Sequence, residues 1–246
     1  MLLDKDLKFD FTSRPINSLL ANELNNLIKS KVYNILDIGC GDGVMIYDLE
    51  RQTLLKKNFN LTAIDILPEN IKLAKKRKLK ANFLVADAEH LPFRKNSFDF
   101  VYAWMVLEHV TSPQRMVQEI VRVLRKNARC YIATIIRKKW AMYIYRRDGH
   151  FTLDPTHIHE FKSKNELYNL LKKNGLKVNL MQLQQCKYSL AELQMKLMLK
   201  LGIMKPSIEN RQLFVNNQFL EFIKNNSHIP IPGFEIAEAV CEKYKN

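Results

Sequence analysis

Apolar runs of five to seven residues alternate along this chain with stretches whose apolar positions recur at helical spacing. That alternation predicts an α/β fold on a mostly parallel sheet. A strand buried on both faces reads as a continuous apolar run, and each parallel crossover needs a helix. After a helical stretch near 17–30, the candidate strands are NILDI (34–38), NLTAID (60–65), NFLVAD (82–87), FDFVYAW (98–104) and RCYIATI (129–135). Ser112-Pro113 opens a helix with Met116, Val117, Ile120 and Leu124 on one face. Proline is tolerated in that first turn because its missing N–H would have no intrahelical partner. A helix near 163–174 stops at Asn174-Gly175, and LKVNLMQLQ (176–184) follows as a strand. FEIAEAVCEK (234–243) is the candidate final strand, although its pattern also fits a helix. The intervening segment, 187–232, reads as a mostly helical insertion or lid on one domain spanning 1–246, with its core at 30–185.

Composition narrows the class. A chain of 246 residues with 47% hydrophobic residues can bury an ample core. The first residues, MLLDKDLKFDF, are too charged for a signal peptide, and no apolar run approaches the ~18–20 residues of a membrane span. Cys40, Cys130, Cys186 and Cys241 are scattered without a CxxC pair, which points to a reduced, cytoplasmic protein without structural zinc. The formal net charge of +14 raises the question of an acidic partner: nucleic acid, an anionic membrane surface or a phosphorylated substrate. A lysine-rich solvated surface would give the same number.

The first predicted strand runs into ILDIGCGDG (35–43), where Gly39, Gly41 and Gly43 take up three of the chain's 7 glycines. A strand–glycine turn–helix is where backbone approaches a ligand closely. A dinucleotide fingerprint would read GxGxxG, but here the third glycine comes one residue early and Val44 holds the dinucleotide position. Asp37, Asp65 and Asp87 end the first three predicted strands, all at the carboxyl edge of such a sheet. A carboxylate at Asp65 can accept both hydroxyls of a ribose. One such aspartate would often be a helix cap; three in series point to a nucleotide-like ligand.

With these residues the chain resembles the class I S-adenosylmethionine-dependent methyltransferases, and within them the type 11 set that includes quinone-biosynthesis-like enzymes. LDIGCGDG is similar to their first motif and AIDILPENIKLAKKR to the ribose-binding segment. VADAEHLPFRKNSFDFVYAWMVLEHV resembles the adenine loop and fourth strand, and EIVRVLRKNARCYIATI the next helix and fifth strand. The resemblance implies a Rossmann-like seven-stranded sheet, helices on both faces, whose last strand is antiparallel. It implies S-adenosyl-L-methionine contacts at Asp37, Gly39, Cys40, Gly41 and Gly43, at Asp65 and Ile66, at Asp87 and Ala88, and at Trp104. The Pro-Gly-Gly turn usual before the fifth strand is replaced by Lys126-Asn127-Ala128.

Because the sulfonium carries the reactive methyl, the protein chiefly aligns the acceptor and removes its proton where needed. The fourth strand ends AWMVLEHV, without the Asp/Asn-Pro-Pro-aromatic signature of amide or adenine N-methylation, which favours an O- or C-methyl acceptor. Candidate bases are His109, after the fourth strand, and His157 and His159 in DPTHIHEF (154–161), which would face one side of an extended segment. Each has a structural reading of comparable weight, as a loop anchor. A paired metal site at the two histidines is the minor alternative, because a nearby third ligand is lacking, and no metal is expected.

Nine basic residues and no acid lie between Val121 and Arg147. Within that run RKKWAMYIYRR (137–147) interleaves charge with Trp140, Tyr143 and Tyr145, reading first as a lid helix with an apolar underside and second as a phosphate- or base-binding strip. Leu190, Leu193, Leu197 and Leu201 form a helical stripe suited to core packing, to covering an apolar acceptor, or to peripheral contact with an anionic membrane. The expected function is methylation of a small-molecule, lipid or glycan acceptor. RNA methylation and a silent nucleotide-binding module rank below it, and no oligomeric state is implied.

Overall fold

The computed structural model describes residues 18–27, 31–141, 145–147, 150–152, 154, 156–189, 198 and 227–244. Its main sheet has seven strands: β1 (Tyr33–Ile38), β2 (Phe59–Asp65), β3 (Asn82–Val85), β4 (Phe98–Trp104), β5 (Leu124–Arg137), β8 (Leu176–Ser189) and β9 (His228–Lys243). They lie in the order β3-β2-β1-β4-β5-β9-β8, and β9 alone runs antiparallel to its neighbours. Chain order reverses between β1 and β4. Such a switch point leaves a crevice outside the strands' carboxyl ends, because the connections leave toward opposite faces.

Alternation along β1 divides the core in two. Leu36 and Ile38 pack on one face with Val101, Ile132, Met116, Ile120 and Leu171. Ile35 packs on the other with Phe100, Tyr131, Leu20, Ile46 and Leu49. The flanking helices are α1 (Ser18–Asn26), α2 (Val44–Arg51), α3 (Pro68–Lys76), α4 (Pro113–Val123) and α5 (Lys164–Lys173). As the sequence predicts, Pro113 sits in the first turn of α4, and the Ser112 hydroxyl accepts from the Arg115 N–H at 3.3 Å.

Several boundaries depart from the pattern. Leu124, expected on the α4 stripe, already has extended backbone and starts β5. Between the pairings of Phe98 with Leu124 and Phe100 with Arg129 the register shifts, absorbing Lys126-Asn127-Ala128. Asn127 has φ 58°, a left-handed conformation that asparagine tolerates in place of the usual glycine. β8 and β9 both extend further than expected, so residues 187–189 and 228–232 of the predicted insertion belong to strands. The leucine stripe at 190–201 lies outside the described residues.

The basic segment is also corrected. Tyr145–Arg147 (β6) and His150–Thr152 (β7) pair antiparallel as a separate two-stranded sheet, so the expected lid helix is strand at 145–147. Nor is the run a bare cationic strip. Arg125 and Lys31 flank Asp99 at 2.6 and 2.8 Å, Arg129 meets Glu23 at 3.2 Å, Arg137 meets Glu160 at 3.2 Å, and Lys138 meets Glu235 at 2.6 Å. Arg122 is bound to Glu119 at 2.7 Å. No helix among the described residues is long and apolar enough to cross a membrane.

Candidate active site

The turn between β1 and α2 holds all three glycines at positive φ: Gly39 at 74°, Gly41 at 56° and Gly43 at 83°. Their surroundings differ. A Cβ on Gly39 would come within 2.4 Å of Val106, and one on Gly43 within 3.0 Å of Leu79 and 3.3 Å of Ala74. A Cβ on Gly41 would meet nothing within 4 Å. Two glycines therefore serve packing, and the middle one opens onto free space. The turn is anchored by the N–H groups of Gly39 and Cys40, which both donate to the Ile64 carbonyl at 2.8 and 2.9 Å. Burial pushes the Cys40 thiol far up, with Asp37 and Asp65 adding to it, so Cys40 is a neutral packing residue rather than a nucleophile.

The strand-end acids fall into different environments. Asp65 is oriented by three donors: the Gly41 N–H on Oδ2 at 3.0 Å, and the Leu67 N–H and Asn70 amide on Oδ1 at 2.9 and 3.1 Å. Ile66 beside it is 61% exposed, an uncovered apolar side chain at the crevice edge. Asp87 lies two residues beyond β3 and accepts from the Glu89 N–H at 2.8 Å and pairs with His90 at 3.1 Å. Burial raises its pKa, but those contacts outweigh it and hold the carboxyl below its usual range. Ala88 next to it is buried.

Asp37 is nearly inaccessible, and its Oδ2 has no hydrogen-bond partner among the described residues. Burial pushes its pKa up to about 8, Asp65 adds repulsion, and the neighbouring Tyr102 hydroxyl offsets part of the rise. Among the described residues Tyr102 Oη and Trp104 Nε1, on the same β4, are likewise buried without a hydrogen-bond partner. The Trp104 ring stacks on Tyr131 with centroids 5.9 Å apart.

The histidines separate. Asp154 caps a tight turn, accepting from the Thr156 N–H and hydroxyl at 2.8 and 2.7 Å. The following N–H groups of Ile158 and His159 both donate to the Glu108 carbonyl, at 2.8 and 3.0 Å. The segment is thus bent rather than extended, and His157 and His159 do not share a side. The His157 side chain is only 5% exposed, with Nδ1 at 3.1 Å from Glu160, while the His159 side chain is 41% exposed and turns toward Glu166 at 3.7 Å. His157 instead meets His109 edge to face at 5.0 Å. His109 Nδ1 lies 3.2 Å from the Thr156 carbonyl and 3.1 Å from its hydroxyl. Glu108 is fully buried beneath them; Oε2 accepts from Thr134 at 2.7 Å and Oε1 has no partner among the described residues. Because Val106 packs on Gly39, this loop lies directly against the glycine turn.

Sequence reasoning reached His109 and His157 but missed Glu108, Tyr102, Thr134 and Glu160. The one signal available was an acid inside the otherwise apolar run AWMVLEHV.

A switch-point crevice with a glycine turn, an oriented strand-end carboxylate and an exposed apolar neighbour defines a nucleotide-cofactor-binding α/β enzyme. Comparison with known proteins specifies which. Residues 36–132 match the family described as "Methyltransferase domain". The ubiquinone biosynthesis O-methyltransferase of Rickettsia bellii (strain OSU 85-389) is 30% identical over 204 residues, covering 77% of this chain and 81% of that protein. Among solved structures, a SAM-dependent methyltransferase from Methanosarcina mazei superposes with a TM-score of 0.60 at 18% identity, covering 95% of this chain and 100% of that one. The [4+2]-cyclase SpnF gives 0.61 at 17% identity, covering 93% and 81%, so the fold alone does not select the reaction. The chain belongs to the class I S-adenosylmethionine-dependent methyltransferases, in their type 11 group. It is an enzyme of that class, and S-adenosylmethionine is its cofactor.

Proposed function

We propose that this chain methylates a hydroxyl oxygen of a small-molecule acceptor bound beside the β4 loop. The observation that carries this reading is the convergence of Glu108, His109 and His157 against the glycine turn, together with the similarity to an O-methyltransferase. Asp37, Gly39, Cys40, Gly41 and Gly43 would form the methionine end of the cofactor site, with Gly41 giving the open space. Asp65 would hold the ribose hydroxyls, Ile66 would cover the adenine, Asp87 and Ala88 would meet its edge, and Trp104 would offer its unspent N–H. The Asp37 Oδ2, without a partner among the described residues, and the orientation of Asp65 fit a cationic, ribose-bearing group. When bound, the cofactor supplies an electrophilic methyl; the protein's part is alignment, water exclusion and activation of the acceptor hydroxyl by the cluster.

Incubation with S-adenosylmethionine labelled in its methyl group and a panel of phenols, hydroquinones, glycans, lipids and RNA should place label on a phenolic oxygen. His157→Ala should keep cofactor affinity while turnover falls about 10²–10⁴-fold, the usual contribution of a positioned acid–base group. Labelling of RNA, or full turnover in the variant, would overturn the reading. The ion pairs taken up by Arg122, Arg125, Arg129, Arg137 and Lys138 weigh against RNA, since they already place acids against those charges.

Asp65→Ala should weaken cofactor binding by about 1.5–3 kcal/mol, the worth of hydrogen bonds to a charged group, checked by calorimetry. It should also lower the melting temperature, because the Gly41 and Leu67 N–H groups lose their acceptor.

A further inference from the structure

We propose that Tyr131 and Glu238 are positioning residues that hold the Trp104 indole so that its N–H meets an acceptor atom of the cofactor. The proposal rests on the assignment of Trp104 to the cofactor site above, and not on the nature of the methyl acceptor. A polar row crosses one face of the sheet through five neighbouring strands. Asp37 on β1 is the register partner of Tyr102 on β4, and Tyr102 that of Tyr131 on β5. The Tyr131 hydroxyl donates to Glu238 Oε1 on β9 at 2.5 Å, and the Gln182 amide on β8 donates to Oε2 at 2.8 Å. One end of the row is thus a strand-end acid of the cofactor site. Tyr131 in its middle carries the Trp104 ring, stacked on it at 5.9 Å and 17°.

Stability gives no reason for such a row. Tyr102 and Tyr131 otherwise belong to an apolar layer with Phe100, Ala133 and Val240. Glu238 is fully buried, and the donors on its two oxygens, a phenol and an amide, are both neutral. Burying an acid is costly, and replacing both partners of such a bond by apolar groups is often neutral or stabilising. What the row does provide is orientation. Burial, and then the Glu238 carboxylate, push the Tyr131 phenol well above its usual range, so it stays a hydrogen donor. Its ring is fixed by the strand at one end and by that bond at the other, and it fixes the indole stacked on it. Indole Nε1 can only donate, and here it is buried without a partner among the described residues, a cost that a bound acceptor atom removes.

The test titrates the whole chain with S-adenosylmethionine by calorimetry. Trp104→Phe, which keeps an aromatic ring but removes the N–H, should lose about 10–100-fold in affinity. Tyr131→Phe and Glu238→Leu should each lose about threefold to tenfold, and the double variant no more than either alone, because the two act as one unit. Glu238→Gln, which can still bond to Tyr131, should recover most of the loss. The melting temperature of the double variant should hold or rise. Trp140→Phe leaves Trp104 as the single tryptophan, and in that background Tyr131→Phe should lower the fluorescence anisotropy of the ligand-free protein. Unchanged affinity in Trp104→Phe would reject the placing of Trp104 in the cofactor site. Loss there, with full affinity in Tyr131→Phe and Glu238→Leu, rejects the positioning role alone. Losses that track a falling melting temperature would reduce the row to support of the fold and overturn the proposal.

Discussion

Calorimetric titration should show S-adenosylmethionine binding more tightly as pH rises toward about 8 and then levelling off, with a proton released on binding below that point. Asp37 is the cause. Burial first, and Asp65 second, lift its pKa from an ordinary 3.8 to about 8, so the ligand-free protein holds it protonated at neutral pH. A cation docking beside it favours the ionised form, and the linked proton leaves; the affinity can then change at most about tenfold per pH unit. The sign for stability is opposite. An acid whose folded pKa lies above its unfolded value keeps a proton the unfolded chain has lost, so its contribution declines as pH rises between those two values. Asp37→Asn should therefore raise the melting temperature of the ligand-free protein at pH 8. It should also weaken the cofactor about tenfold to a hundredfold there and abolish the pH dependence of binding, as expected for one charge-assisted contact. Proton release is read from the dependence of the binding enthalpy on buffer ionisation; an unchanged pH profile in the variant would sink the assignment.

The largest loss of binding without loss of fold should come from Gly41→Val. The left-handed backbone there costs an L-residue about 1–2 kcal/mol, or roughly 2–8 °C for a chain of this size. Among the described residues no protein atom lies within 4 Å of the new Cβ, so the fold should survive while the valine fills the space assigned to the cofactor, and affinity should fall at least about 100-fold. Gly39→Val gives the contrast. Its Cβ would strike the stiff Val106 at 2.4 Å, adding overpacking to the same backbone strain, about 2–5 kcal/mol together. Circular dichroism and calorimetry on the pair separate the two roles; equal melting temperatures with equal binding loss would refute the division.

Strand order and site followed from different amounts of sequence information. Strands β1 and β4 and the second half of β5 were legible because both faces are buried, which writes apolarity into consecutive residues. The strand-end acids were legible because the carboxyl edge is one place. The partners of the histidines were not. Period-2 reasoning put His157 and His159 together, but the local Asp154 turn and the Glu108 carbonyl, distant in sequence, bend that segment. Likewise the glycines read as one motif, whereas only neighbours from distant elements, Val106 for one and Leu79 with Ala74 for another, separate packing glycines from the open one. The basic run misled for a similar reason, since, Glu119 apart, the acids that meet it come from other elements.

β9 lies between β5 and β8, yet it follows both in the chain, pairing from Arg129 with Glu242 to Arg137 with Phe234 on one side. During synthesis the outer edge of β5 is finished when Arg137 emerges and stays uncapped until His228 and its successors arrive. At translation rates of roughly 5–20 residues per second, that interval lasts on the order of 5–20 seconds. Throughout it a long apolar edge is open to pairing with another nascent chain, the setting in which strand exchange and aggregation begin. The glycine turn and its acids are complete far earlier, so a ribosome-bound chain acquires the parts of its cofactor site before it acquires a closed sheet.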